Sequence, residues 1–216
     1  MLFVNVSTDG VVVDLTVPVA GEIVDGGKNA YEDLVFSSKP ATVEAQWRNY
    51  YDPESHVIDY EVEVEIAGDM GSNFQVEHSY ESVFPDEAIT WHHFHLHHRD
   101  IIKSKLRTTN GALNFIESET NSFVVDLTPP NLIYLNDGPT AEVDIDYSSN
   151  DNMAANWDFH DEESGVKEYD LALYEMYQGT KRPKKPETVG QYIKKAKTMK
   201  TIQENSLGLI NGAAYF

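Results

Sequence analysis

Hydrophobic and polar residues alternate along much of this chain with a period of two. In Ile58–Ile66 the side chains of Ile58, Tyr60, Val62, Val64 and Ile66 fall on one side, and Asp59, Glu61, Glu63 and Glu65 on the other. Successive side chains of a strand point to opposite faces, so this segment is predicted to bury one face and wet the other. The acids then read as a solvated face that also discourages edge pairing. Val43, Ala45 and Trp47 share one face of a run over 42–47. Phe74, Val76, His78 and Tyr80 make a further run, and Ile102, Ser104, Leu106 and Thr108 another, closed by the turn signal Asn110-Gly111. Phe123–Asp126 reads as a strand stopped by Pro129-Pro130, because proline cannot donate to a ladder. No long helical stripe is present; only 191–204 suits a short helix. Many short strands at regular turn spacing predict an all-β chain of antiparallel β-sandwiches.

The pattern occurs twice. Val13-Asp14-Leu15-Thr16-Val17-Pro18 returns 112 residues later as Val125-Asp126-Leu127-Thr128-Pro129-Pro130. Ile23-Val24-Asp25-Gly26 is answered by Leu135-Asn136-Asp137-Gly138. Trp47, Asp52-Pro53-Glu54-Ser55 and Tyr60 are answered by Trp157, Asp161-Glu162-Glu163-Ser164 and Tyr169. A period this long is that of a domain with its own core.

A tryptophan on the second strand, a turn and a tyrosine on the third resemble fibronectin type III domains and related immunoglobulin-like sandwiches. The stretch Ala155–Tyr169, with its Trp, Glu-Ser-Gly and Tyr, and the introducing phrase Asp126-Leu127-Thr128-Pro129-Pro130 are similar to forms that recur in large extracellular animal repeat proteins. The resemblance implies three segments: 1–17 as the last strand of a preceding repeat, 18–129 as a complete domain and 130–216 as a partial one. On that reading 212–216 approach the sixth strand, and the chain is a fragment of a multi-domain protein. The first copy departs from the pattern at His56, where the second has Gly165, and at Val17, where the second has Pro129. The departure puts the turn geometry at His56 in question. The resemblance implies an extracellular or cell-surface adhesion and spacer role, with other proteins as partners.

Composition fits that class. With 41% hydrophobic and 11% aromatic residues, the chain of 216 residues can fill packed cores. The net charge of −20 argues against nucleic acid and anionic membrane surfaces as partners. The exception is 181–200, where Lys181, Arg182, Lys184, Lys185, Lys194, Lys195, Lys197 and Lys200 face Glu187 alone. That run is either a solvated charged face or a polyanion site. Cysteine is absent, no apolar run approaches the ~20 residues of a membrane span, and the start does not read as a signal peptide. Asn5-Val6-Ser7 is a lone glycosylation sequon.

The chemically unusual segment is Trp91–His98, with five histidines. Taken as a strand, it turns Phe94 and Leu96 inward with His92 and His98, and places Trp91, His93, His95 and His97 outside. Imidazoles two residues apart on a strand can share a zinc or copper ion, so His93, His95 and His97 are the candidate metal ligands, and a metal-binding β-domain built on 92–98 is the alternative function. A histidine-rich solvent face is the competing reading, with a pH response near 6–7 as a milder variant. The strand is similar to the His-x-His of carbonic anhydrases, but no segment supplies the further ligand. Calcium is the other candidate ion. Asp126, Asp137, Asp144, Asp146, Asp151, Asp161, Glu162 and Glu163 could supply oxygens, or could be ordinary turn formers. No nucleophile elbow, metalloprotease helix, phosphate loop or dinucleotide fingerprint occurs, so no catalytic residue and no organic cofactor is expected.

Overall fold

The computed structural model describes residues 7–27, 31–149, 151–185, 191–205 and 207–216. Every regular element among them is a strand, and none is a helix. The chain divides into two compact units, Met1–Leu127 and Thr128–Phe216.

Unit 1 holds, in chain order, β1 (Glu22–Asp25), β2 (Phe36–Ser37), β3 (Thr42–Arg48), β4 (Val57–Ala67), β5 (Gln75–Ser82), β6 (Ala88–His92), β7 (Ile101–Asn110), β8 (Phe115–Glu119) and β9 (Phe123–Val125). One sheet has the order β1-β3-β6; the other runs β2-β9-β7-β4-β5, with β8 also paired to β7. All pairings are antiparallel except that of β2 with β9. The inner faces of the two sheets meet in two clusters. Val43, Val64, Phe94, Leu96, Ile102, Phe123 and Val125 form the first, and Trp47, Tyr50, Tyr60, Val62 and Leu106 the second. Each buried aliphatic or aromatic side chain contributes about 1.5–3 kcal/mol by leaving water, so these clusters are what hold the sandwich closed.

The period-two reading of β7 holds throughout: Ile102, Ser104, Leu106 and Thr108 are all fully buried. In β4 it holds only in part. A register irregularity between Val57 and Asp59 turns Ile58 outward, leaving it exposed, while Tyr60, Val62 and Val64 stay in the core. The acids of β4 do not lie on an edge either, because β4 is paired on both sides, with β5 and β7.

Unit 2 holds β10 (Asn131–Asp137), β11 (Met153–His160), β12 (Glu168–Leu171), β13 (Leu173–Tyr177), β14 (Thr180–Lys185), β15 (Ile193–Ala196), β16 (Thr201–Glu204) and β17 (Ala214–Tyr215). These make sheets β10-β11-β16, β12-β15 and β14-β13-β17. The 191–204 stretch, which in isolation suits a short helix, holds β15 and β16; pairing with β12 and β11 overrides the local propensity.

The landmark residues of the two units adopt matching local geometries. Trp47 and Tyr60 meet edge to face at 5.7 Å, and Trp157 and Tyr169 at 5.5 Å. Gly26 and Gly138 both adopt positive φ, and their N–H groups donate to the carbonyls of Glu44 and Ala154. Asp52 Oδ1 accepts from the N–H groups of Glu54 and Ser55, as Asp161 Oδ1 does from those of Ser164 and Gly165. His56 has φ 60° where Gly165 has φ 69°, so the substitution leaves the turn unchanged and places a histidine in the left-handed region. That region costs an L side chain roughly 1–2 kcal/mol, against about 0.5–1 kcal/mol for glycine's freedom in the unfolded chain. His56→Gly is therefore expected to leave the fold intact and to raise its stability by up to about 1 kcal/mol in urea unfolding; a loss of stability would show that the imidazole supports the turn.

Candidate functional site

The most organised surface of unit 1 is the outer face of β4, β7 and β8. The register sets Glu61 opposite Arg107 and Glu63 opposite Lys105 on one side of β7, and Glu117 opposite Arg107 and Glu119 opposite Lys105 on the other. Each base therefore lies between acids. Lys105 Nζ reaches Glu65 at 2.6 Å, Lys103 reaches Glu119 at 3.2 Å, and Arg107 reaches Glu117 at 2.8 Å and Glu61 at 3.7 Å. Cross-strand pairs of opposite charge stabilise a sheet by a few tenths of a kcal/mol each. Three bases set against six acids, Asp59 included, leave the face acidic. Aromatic rings border it. Arg107 lies 4.0 Å from the Tyr80 ring and 5.0 Å from Phe115, and Lys103 lies 4.7 Å from Phe74. The Tyr80 hydroxyl donates to Glu117, and burial together with that carboxylate pushes its pKa up. The bond from Arg107 holds the Glu117 carboxyl below its ordinary value.

A second polar assembly lies where residues 14–16 meet the β3–β4 turn and the end of β7. Asn110 Nδ2 donates to Asp14, Asp52 and the carbonyl of Thr16, while Asn110 Oδ1 accepts from the backbones of Ala112 and Asn114. Ser55 donates to Asp14 at 2.6 Å. That bond leads in lowering the pKa of Asp14, and the bond from Asn110 leads for Asp52. Asp14, Asp52 and Glu54 bring carboxylate oxygens within 4.8 Å of one another. The donors already present satisfy Asp14 and Asp52, so this assembly acts as a tie that fixes the 14–16 segment to the sandwich. Asp14 is legible as part of the repeated phrase, but nothing in its spacing announces Asp52 or Asn110 as neighbours.

Among the described residues, Asp25 is the buried acid that lacks a full set of donors. It is wholly inaccessible, Oδ1 accepts from Ser104 at 3.2 Å, and Oδ2 has no partner among the described residues. Burial raises its pKa to about 7; the Thr120 and Ser104 hydroxyls oppose that shift and the Asp33 carboxylate adds to it.

The histidine segment is built differently from the strand expected. β6 ends at His92, and His93 takes φ 76°. This reverses which parity faces inward. Trp91 packs against both core clusters, contrary to its expected place outside, and beyond the reversal Phe94 and Leu96 enter the core. The N–H groups of Phe94 and Leu96 donate to the carbonyls of Ala41 and Pro40, which holds the segment extended. His92, expected inward, is exposed, and His98 is half-buried. His93, His95 and His97 are exposed. Among the described residues of unit 1, they do not belong to a group of three with ligand atoms within 4.8 Å of one another. His97 lies 3.5 Å from Asp100.

Of the candidate calcium oxygens, Asp161 caps its own turn and Asp151 accepts from the N–H groups of Gly208 and Leu209. Asp144 accepts from the N–H of Asp137. Each is engaged as a loop former. Four of the eight bases of the basic run are paired within unit 2: Arg182 and Lys184 flank the buried Glu175, Lys194 pairs with Glu168 and Asp170, and Lys200 pairs with Asp158 at 2.6 Å. Asn5 of the sequon and Glu187 lie outside the described residues.

No family model matches the chain, and no curated protein matches it. Among solved structures it is similar to the FN1–FN3 domains of chicken CNTN1, at 10% identity and a TM-score of 0.45 over 92% of this chain. The chain spans 58% of the length of that structure. No helix among the described residues is long and apolar enough to cross a membrane.

Asp25 gives a signed pH dependence. Its folded pKa lies above the unfolded value of 3.8, so ionising it opposes folding. The stability of the wild type is expected to decline as pH rises from about 4 through about 7 and then to level off, relative to Asp25→Asn, which lacks that slope. Urea unfolding of both proteins across pH 4–9 measures the difference; parallel curves would show that Asp25 is ionised in the fold without cost.

Proposed function

We propose that this chain is a piece of a multi-domain extracellular or cell-surface protein, in which tandem fibronectin-III-like sandwiches space and present protein-binding faces and carry no chemistry of their own. The observation behind this reading is the outer face of β4, β7 and β8. Its charges are held in mutual pairs by strand register, its sum is acidic, and Tyr80 and Phe115 border it. Phe115 is half exposed. A surface that is fixed in advance loses little side-chain entropy on docking, and its excess of acid selects a partner face bearing lysine and arginine. Aromatic residues beside charge are the residues that carry binding energy at protein interfaces. The same pairing speaks against catalysis there, since each base is engaged by carboxylates. The partner is thus another protein with a basic face, not nucleic acid and not an anionic lipid surface.

The test is binding of the chain to a panel of purified ectodomains by biolayer interferometry. At least one ectodomain with a basic surface is expected to bind, with association slowing as salt rises and affinity falling at least tenfold (about 1.4 kcal/mol) in a Tyr80→Ala/Phe115→Ala variant. Binding that ignores this double substitution would place the contact elsewhere, and an absence of any ectodomain partner would contradict the reading.

A further inference from the structure

Among the described strands, β6 is an edge strand paired with β3 alone. Successive side chains of a strand alternate between its faces. At the end of β6, Trp91 packs inward against both core clusters and His92 is exposed. Alternation would turn His93 inward. Its positive φ cancels that turn, so His93 is exposed as well and Phe94 takes the inward place. Two consecutive imidazoles therefore stand outside, with ring centres 6.4 Å apart and planes at 69°. Beyond the reversal, the bonds from the Phe94 and Leu96 N–H groups to Ala41 and Pro40 hold the segment extended. With Phe94 and Leu96 buried, His95 and His97 are exposed as His93 is. Side chains two residues apart on such a segment start from Cα atoms about 6.5–7 Å apart.

The four imidazoles are not equivalent. His97 is turned to Asp100: its Nδ1 lies 3.5 Å from the Asp100 carboxylate, which also accepts the His97 N–H at 2.7 Å. His93 is the shared neighbour of His92, beside it in the chain, and of His95, two residues on. A zinc–nitrogen bond of about 2.0–2.1 Å puts a ring centre about 3.2 Å from the ion, so two rings on one ion have centres at most about 6.4 Å apart. His92 and His93 stand at that limit before either side chain turns. On the outer face that His92 shares with Thr90, the cross-strand partner of Thr90 is Glu44, and its carboxylate is paired with Lys39 at 2.6 Å. The donor set is therefore one of imidazole nitrogens, which suits zinc, copper and nickel and not the oxygen-seeking calcium and magnesium.

We propose that His92, His93 and His95 form a surface site for one divalent ion of the zinc and copper class, with water in the positions that face solvent. The three side chains are exposed, so turning them about Cα–Cβ closes the set and leaves Trp91, Phe94 and Leu96 in the core beneath. The ligand set differs from the one that strict alternation predicts: the reversal at His93 brings in His92, and Asp100 draws His97 away. Exposed imidazoles impose little geometry of their own, so affinity follows the intrinsic order of the ions, with copper(II) above zinc. An ion held here ties the end of β6 to the segment that follows it, and the folded unit gains stability by mass action.

Calorimetric titration of the tag-free chain with zinc chloride is expected to show one ion bound per chain in the micromolar range, with copper(II) bound more tightly and no heat from magnesium. His93→Asn, which keeps a residue tolerant of positive φ, is expected to weaken zinc binding at least tenfold, and so are His92→Ala and His95→Ala. His97→Ala is expected to bind zinc as the wild type does. Saturating zinc is expected to raise the thermal midpoint of the wild type and to leave that of His93→Asn where it stands. An absence of heat with zinc, an affinity unchanged in His93→Asn, or a loss in His97→Ala as large as that in His92→Ala overturns the proposal.

Discussion

The constraint on which each unit depends is the edge-to-face meeting of a buried tryptophan with a tyrosine from the facing sheet: Trp47 with Tyr60, and Trp157 with Tyr169. Each pair joins the two layers of its sandwich. Trp47 stands on β3 and Tyr60 on β4, and Trp157 stands on β11 and Tyr169 on β12. The short turn between these strands must then bring them face to face, and the capping aspartates Asp52 and Asp161 set that turn. Once the pair is fixed, strand order and register decide what else is possible. In unit 1 the remaining inner positions fill with Val62 and Leu106 on one side and with Ile102 and Phe123 on the other.

The outward positions follow from the inward ones. Because β4 and β7 pair in register with their apolar residues facing the core, Glu61, Glu63 and Glu65 are set against Lys103, Lys105 and Arg107 without further design. A strongly acidic chain thereby places three of its few bases where strand pairing most needs neutralisation. The surplus of acid that remains on this face, with Tyr80 and Phe115 at its border, is the basis of the function proposed.

Much of this architecture was legible in the chain. The alternation in 102–108 gave the buried face of β7 correctly, and the many short alternating runs gave the all-β class, because side-chain parity is a local property. The failures share a cause. Ile58 was expected inside and is outside because a register irregularity, invisible in period-two counting, shifts parity by one. Trp91 and His92 exchange roles because His93 takes a positive φ, which period-two counting does not reveal. The 191–204 stretch became strand because its partners are distant in sequence. The candidate site was less visible still. The acids of β4 could be read, but not the bases that meet them, and the tie among Asp14, Asp52 and Asn110 joins residues 38 to 96 positions apart.

The central claim is that two successive sandwiches are each built on their own tryptophan–tyrosine pair. Differential scanning calorimetry of the chain, with Trp47→Ala and Trp157→Ala as single substitutions, tests it most directly. Each substitution is expected to remove about 3–5 kcal/mol from one unfolding transition and to leave the other where it stands. One transition that both substitutions lower together would contradict the account.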